Sequence, residues 1–171
     1  MKEKLLEMLK IQHEYNQLVF KEHGSDKYTF ENLEYALFDE LGELNHELKA
    51  TWCWWKHTQK PVDREKLLEE YVDCIHFGLC LLLNKYTNES KLRYAINKIA
   101  KLNTLNDEYT DMLNLPLIFY YNDVTSHRDK PYLRFHYLLC LGYRLGFTFD
   151  EIYEAYVKKN NINRERLKKG Y

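Results

Sequence analysis

Two stretches of the sequence combine helical spacing of apolar residues with acidic residues three positions apart. FDELGELNHEL contains Glu40 and Glu43, and LEEYVDCIHF contains Glu70 and Asp73. On an α-helix, residues three apart share a face, so each stretch sets two carboxylates beside a core-facing stripe. Clustered anions in a partly dry place repel unless they are protonated or given a cation. We therefore expect two helices that pack with their acidic pairs at or near the seam.

The rest of the chain also follows helical periodicity. Apolar spacing and turn residues predict helices at about Lys2–Lys21, Phe30–Ala50, Arg64–Tyr86, Glu89–Asn103 and Pro131–Leu145, and then one capped by Thr148 or Asp150. The segment Leu105–Lys130 is the least regular, and Pro116 lies within it. We find no strand alternation and no repeat in the sequence. The prediction is an all-α fold, a helical bundle with a basic C-terminal arm, forming a single domain over residues 1–171.

The charge distribution is uneven although the total is close to neutral. The formal net charge is −1, so no global field favours nucleic acid or a membrane surface, and we predict neither as a partner. Six acidic residues and no Lys or Arg occupy positions 31–47, whereas positions 158–169 hold six basic residues and one Glu. This segregation is typical of two solvated faces, or of a site that holds a metal-bound polyanion.

Cysteine usage indicates a reducing compartment. The four cysteines form no C-x-x-C pair, and the N-terminus lacks the uninterrupted apolar region of a signal peptide. The most apolar run, at positions 74–83, is too short to span a bilayer. We expect a soluble cytoplasmic protein with buried free thiols.

The acidic stretches can be explained by either of two kinds of metal site, or by ordinary solvated helix surfaces. A single E-x-x-E pair is common on solvated helices, but two such pairs beside core positions favour a metal. Carboxylate oxygens select Mg²⁺ or Mn²⁺ over softer ions. Alternatively, Glu43 with His46, and Asp73 with His76, resemble the Glu-x-x-His pairs of di-iron bundles. That type of site also needs a Glu from each of two further helices, and the second pair here begins with Asp.

Three other clusters suit a nucleotide. Gln12 and Asn16 lie on one helical face, and their amides can read the edge of a base, although such a pair alone is typical of a surface. Lys159, Asn163 and Arg166 are four and three residues apart, which suits phosphate binding from one face of a helix.

The third cluster is the aromatic segment TWCWWKH. It contains Trp52, Trp54, Trp55 and Lys56. Three Trp in four positions are expensive for a loop unless they close a core or stack on a planar ligand. We expect two of them to close the core and one to remain for stacking.

These motifs together resemble a known family. The acidic pairs, with 26 residues between Glu43 and Glu70, are similar to the E-x-x-E…E-x-x-D motif of the MazG-like all-α NTP pyrophosphohydrolases. Within that superfamily the chain resembles the dimeric dUTPases, through IQHEYN, WCWWK, EEYVDCIHF and YVKKNNINRERLKKGY. The resemblance runs from about residue 10 to the last residue.

The resemblance implies a role for each motif. The Mg²⁺ ligands would be Glu40, Glu43, Glu70 and Asp73, and Mn²⁺ would substitute for Mg²⁺. The uracil base would be read by Gln12 and Asn16 and stacked by Trp55. The phosphates and deoxyribose would be bound by Lys56, Lys159, Asn163 and Arg166, with Tyr171 closing over the nucleotide.

The implied reaction is the hydrolysis of dUTP to dUMP and pyrophosphate by a homodimer, with dUDP as a further substrate. Glu40 or Glu43 would hold the attacking water. Three alternatives stay open from the sequence. They are a broader or dCTP-directed MazG-like pyrophosphohydrolase, a di-iron carboxylate protein, and a non-catalytic helical interaction module.

Overall fold

The computed structural model describes residues 1–103 and 117–170, apart from the side chains of residues 117–119. Within that part of the chain there are eight helices and no strand, which confirms the all-α prediction. The helices are α1 (Lys2–His23), α2 (Phe30–Glu47), α3 (Lys49–Trp52), α4 (Arg64–Lys85), α5 (Glu89–Leu102), α6 (Leu117–Ser126), α7 (Pro131–Arg144) and α8 (Phe149–Lys168). No helix among these residues is long and apolar enough to cross a membrane.

Three of the long helices, α2, α4 and α8, begin at side chains that cap them. Thr29 accepts a hydrogen bond from the backbone N–H of Asn32 at the start of α2. Asp63 accepts hydrogen bonds from the backbone N–H groups of Glu65 and Lys66 at the start of α4. Thr148 and Glu151 form a reciprocal capping box at α8, so Thr148 is the cap of this helix. The predicted starts of these helices are therefore confirmed.

Helix α4 is the centre of the bundle, and α2, α7, α8 and α1 pack around it. Its apolar residues join one continuous hydrophobic core, to which the other long helices also contribute. Helices α4 and α7 approach closely at Gly142, where a Cβ atom would collide with the ring of Tyr71. Tyr71 donates a hydrogen bond of 2.7 Å to the backbone carbonyl of Leu138. This packing fixes the position of α4, and with it the position of the acidic residues on that helix.

Two helix assignments differ from the sequence prediction. The predicted helix Phe30–Ala50 is divided, because α2 ends at Glu47 and a short α3 follows. The segment predicted to be irregular contains α6, whose Tyr120 and Val124 are buried. Aromatic and β-branched residues have modest helix propensity, so packing against α7 stabilises this helix more than its own sequence does.

The basic C-terminal arm is the last part of α8. This helix runs without interruption to Lys168 and packs on α1 and α4. Arg164 fixes it to α1 by donating a hydrogen bond of 3.2 Å to the carbonyl of Ile11. The basic residues of the predicted arm are therefore part of a helix that packs against α1 and α4.

Candidate functional site

Three of the four predicted metal ligands converge where α2 packs on α4. One carboxylate oxygen from each of Glu40, Glu43 and Glu70 lies within 4.8 Å of the others. Glu43 is exposed, and the other two are half-buried. The helical spacing on α2 and the packing of α4 across it produce this arrangement, as the sequence predicted.

The electrostatics of the cluster are unfavourable in the absence of a cation. Burial, and then the charges of Asp73, Glu43 and Glu70, raise the pKa of Glu40 to about 7. Burial also raises the pKa of Glu70, and Asp73 and Glu43 raise it further. The carboxylates therefore repel one another when all of them are ionised, and a bound cation would relieve this repulsion.

The fourth predicted ligand, Asp73, is paired with a lysine. Lys159 on α8 lies 2.7 Å from Asp73 and 3.1 Å from Glu69, and its side chain is only 13% exposed. The pKa of Asp73 is nevertheless raised, because burial outweighs the effect of the lysine. Sequence reasoning missed Glu69, whose position directly before Glu70 could have indicated a second acid at the same seam.

The acidic cluster opens into a surface cavity of about 430 Å³, lined by Asp39, Gly42, Glu43, His46, Glu47 and Glu70. A second cavity, of about 520 Å³, lies on the other side of Gly42, and Phe38 and Trp52 contribute to its wall. An open approach to the carboxylates leaves room for a ligand larger than a metal ion.

The donor set fits a hard divalent cation. Three carboxylates share one small volume, and burial, followed by the charges of their neighbours, raises the pKa of two of them, Glu40 and Glu70. Oxygen ligands of this kind suit Mg²⁺ or Mn²⁺ and leave positions for water and phosphate. The group that the described residues form consists of carboxylates and contains no histidine. His76 instead lies 2.7 Å from Gln12, which disfavours the di-iron alternative.

The predicted base-reading amides are buried, contrary to the surface placement that their spacing alone suggests. Gln12 and Asn16 are 2% and 7% exposed, and Gln12 Nε2 donates to Asn16 Oδ1 at 2.9 Å. Gln12 Oε1 lies 3.1 Å from the donor hydroxyl of Tyr156. A polar network around two amides cannot be recognised in a sequence, because its members come from three helices and from the loop before α2.

The aromatic segment is exposed, so the prediction that two Trp close the core is wrong. Trp52, Trp54 and Trp55 are 40%, 88% and 55% exposed. Their rings contact one another, with centroids 5.7 Å apart for Trp52 and Trp55. Cys53 between them is the buried residue, since the chain turns just after α3 and directs the large rings outward. Lys56 is exposed in the loop that follows.

The three residues predicted to bind phosphates lie on one helix, as their spacing indicated. Lys159, Asn163 and Arg166 all fall within α8, and Lys159 is the member that reaches the acidic seam. Asn163 is half-buried and Arg166 is exposed. Tyr171, predicted to close over the nucleotide, lies outside the described residues. The four cysteines are free and buried, as expected.

Comparison with known proteins agrees with this geometry. A family model described as dUTPase matches residues 4–171, which is nearly the whole chain. No curated protein sequence matches the chain.

Proposed function

The chain belongs to the all-α dimeric dUTPase family, a family of hydrolases that act on dUTP, and from that premise we propose a Mg²⁺-dependent dUTP diphosphatase that also accepts dUDP. The observation that carries the proposal is the convergence of Glu40, Glu43 and Glu70 within 4.8 Å. Mn²⁺ would substitute for Mg²⁺ because the ligands are all oxygens. The products would be dUMP and pyrophosphate, or dUMP and phosphate from dUDP.

The acidic residues would hold the metal and the water. Glu40, Glu43, Glu70 and Asp73 form the proposed ligand set. The bound cation supplies positive charge for the triphosphate and lowers the pKa of the attacking water. Glu43 or Glu40 would accept a hydrogen bond from that water and orient it toward phosphorus.

The basic residues of α8 would bind the phosphates. The ammonium group of Lys159 already lies beside the acidic residues, where it pairs with Asp73. If Asp73 binds a metal, the ammonium group of Lys159 would contact the leaving phosphates instead. Asn163 and Arg166 would extend this contact along the helix, and Lys56 would approach the phosphates from the loop. Tyr171 would cover the nucleotide.

The base would be recognised by Gln12 and Asn16, with Trp55 stacking on its face. Both amide oxygens already accept internal hydrogen bonds, so these residues would offer N–H groups to the base. We further propose a homodimer that acts in the cytoplasm. The family supports the dimer, and four buried free cysteines are consistent with the compartment.

Pyrophosphate release from dUTP, dCTP, dTTP and UTP, measured with Mg²⁺, Mn²⁺ or chelator, tests the proposal. Selective release from dUTP that needs a divalent cation is the expected result. Equal rates across the bases would instead indicate a broad pyrophosphohydrolase, and faster release from dCTP would indicate the dCTP-directed alternative. Absence of release, together with iron-dependent absorbance, would indicate the di-iron protein.

A further inference from the structure

The ammonium group of Lys159 is shared by two carboxylates of α4. Its Nζ atom lies 2.7 Å from Asp73 Oδ2 and 3.1 Å from Glu69 Oε1. Glu69 and Asp73 are four residues apart, so they share a face of α4, and Lys159 reaches them from α8, which packs on that helix. The side chains of Lys159 and Asp73 are only 13% and 16% exposed. A lysine in such a place needs a partner, because an unpaired buried charge is costly.

The two carboxylates that share the lysine have different surroundings. Asp73 belongs to the proposed metal-ligand set, whereas Glu69 is 55% exposed and lines, with Lys159, a groove of about 610 Å³ between α4 and α8. The acidic cavity is instead lined by Glu70, the next residue along the helix. Adjacent residues of an α-helix point about 100° apart, which directs Glu69 away from that cavity. Glu69 is therefore able to keep Lys159 while Asp73 binds a metal.

Metal binding at Asp73 would change the partners of Lys159. A divalent cation would compete with the ammonium group for the Asp73 carboxylate and would repel it. Glu69 already lies 3.1 Å from the ammonium group, so it would keep Lys159 at the edge of the acidic cluster instead of releasing it to solvent. The position that Asp73 gives up on the ammonium group would then accept a phosphate oxygen of the metal-bound nucleotide.

We propose that Glu69 is a positioning residue, which holds Lys159 beside the acidic cluster when Asp73 exchanges the lysine for a metal ion. The exchange links two binding events, since the metal frees the ammonium group that binds phosphate. Each ligand should therefore raise the affinity of the protein for the other. This inference rests on the proposed function and adds to it a residue that acts through Lys159.

The test measures the Kd of Mg²⁺ for the nucleotide-free protein by calorimetry, in wild type, Glu69→Gln, Lys159→Gln and the double variant. Glu69→Gln should raise this Kd about 5-fold to 10-fold, because Lys159 then has no second partner when the metal takes Asp73. Lys159→Gln should lower it, since the competitor for Asp73 is removed. Adding Glu69→Gln to Lys159→Gln should change the Kd by less than about twofold, because no lysine remains to be held.

This double-mutant cycle distinguishes positioning from a direct effect of charge. If Glu69→Gln raises the Kd equally with and without Lys159, the Glu69 charge acts on the metal directly and the inference is wrong. An unchanged Kd in Lys159→Gln would also overturn it, since the lysine would not compete with the metal. A wild-type protein that binds no Mg²⁺, or that does not hydrolyse dUTP, would instead refute the proposed function.

The matched control is Glu65→Gln, one turn earlier on α4. Glu65 is exposed and lines the same groove, so this variant removes the same charge but keeps both carboxylates that hold Lys159. Its Kd for Mg²⁺ should stay within about twofold of the wild-type value. A rise as large as that in Glu69→Gln would attribute the effect to the charge of the groove and contradict the role of Glu69.

Steady-state kinetics give a second readout. At saturating Mg²⁺, KM for dUTP should rise about fivefold in Glu69→Gln, because Lys159 is no longer held where the phosphates bind. Glu69→Asp, which keeps the charge on a shorter side chain, should recover part of this loss, and Glu65→Gln should keep the wild-type KM. A wild-type KM in Glu69→Gln would show that Lys159 does not depend on Glu69 and would overturn the inference.

Discussion

Helix α2 carries two partly buried glutamates that the fold treats in opposite ways. Glu34 is buried against two arginines, Arg128 and Arg134, and the Arg134 guanidinium lies 2.7 Å from it. Glu40, six residues later, faces other carboxylates, and burial with their charges raises its pKa to about 7. The same residue type on one helix is thus neutralised by the protein in one place and left among like charges in the other.

This difference separates a charge that the fold compensates, at Glu34, from a charge that we propose to be functional, at Glu40. The Glu34 ion pairs join α2 to the α6–α7 region, and Arg134 is 2% exposed, so the fold itself completes that site. The groups that act on Glu40 are other carboxylates, and Lys159 pairs with Asp73 and Glu69 instead. In the proposed metal site, a cation from solution would supply the positive charge that the acidic cluster lacks.

The largest expected effect comes from removing a carboxylate of the acidic cluster. Glu43→Gln should lower kcat for dUTP by about a thousandfold, because it removes a metal ligand and a group that holds water. Its stability should be unchanged or higher, since repulsion is relieved. The assay is pyrophosphate release with saturating Mg²⁺. Glu47→Gln, one turn further along α2, is the control, and near-wild-type turnover in Glu43→Gln would contradict the assignment.

The opposite result is expected at the structural charge. Glu34→Gln should lower the free energy of unfolding by about 3–5 kcal/mol, because it leaves buried Arg134 without its counter-charge. Denaturant titration measures this change. The control is Glu89→Gln, which removes the exposed Glu89–Arg93 ion pair and should cost less than about 1 kcal/mol. Equal losses would mean that burial does not distinguish the two pairs.

Divalent metal should stabilise the protein through the acidic cluster alone. At about 100 times its Kd, Mg²⁺ should raise the free energy of unfolding by about 2.7 kcal/mol, and chelator should reverse the gain. Glu70→Gln should abolish most of this shift, whereas Glu34→Gln should retain it. Thermal or denaturant unfolding with and without Mg²⁺ provides the measurement. A wild-type protein that Mg²⁺ does not stabilise would count against a metal site here.

The smallest expected effect is the pH dependence of stability due to Glu40. Its pKa of about 7 in the folded protein is above the ordinary value of 4.5 for a glutamate, so the folded protein binds more protons between these two pH values. Its contribution to stability is therefore present below pH 4.5 and is lost as pH rises toward 7. Allowing for solvent screening at this half-exposed residue, we expect a loss of about 1 kcal/mol.

Comparison of wild type with Glu40→Gln isolates this contribution. Burial lowers the pKa of His76 to about 3 and that of His136 to about 4, and these residues impose the opposite slope on both proteins. In the presence of chelator, the difference in the free energy of unfolding between the two proteins should decrease as pH falls from 7 to 4.5. With Mg²⁺ bound, this difference should depend much less on pH. A difference that is independent of pH would contradict the raised pKa.

The elements that could be predicted from the sequence are those set by local periodicity and capping. The starts of α2, α4 and α8 follow from Thr29, Asp63 and Thr148, and the acidic pairs share a face because of their spacing. Helix α6 could not be predicted in the same way, since packing against α7 compensates for its modest propensity. The exposure of Trp54 and Trp55 was equally inaccessible, because the direction of a chain turn decides it.

Local sequence patterns were enough to specify an all-helical fold, two acidic pairs and a basic helix, and their joint order indicated the dUTPase family. These features are encoded in residues near one another along the chain, where helical geometry relates spacing directly to position. Tertiary structure alone decided that Lys159 reaches Asp73 and that Glu34 meets Arg134. It also brought His76 on α4 within hydrogen-bond distance of Gln12 on α1, because hydrogen bonds and ion pairs between helices depend on packing that local spacing does not specify.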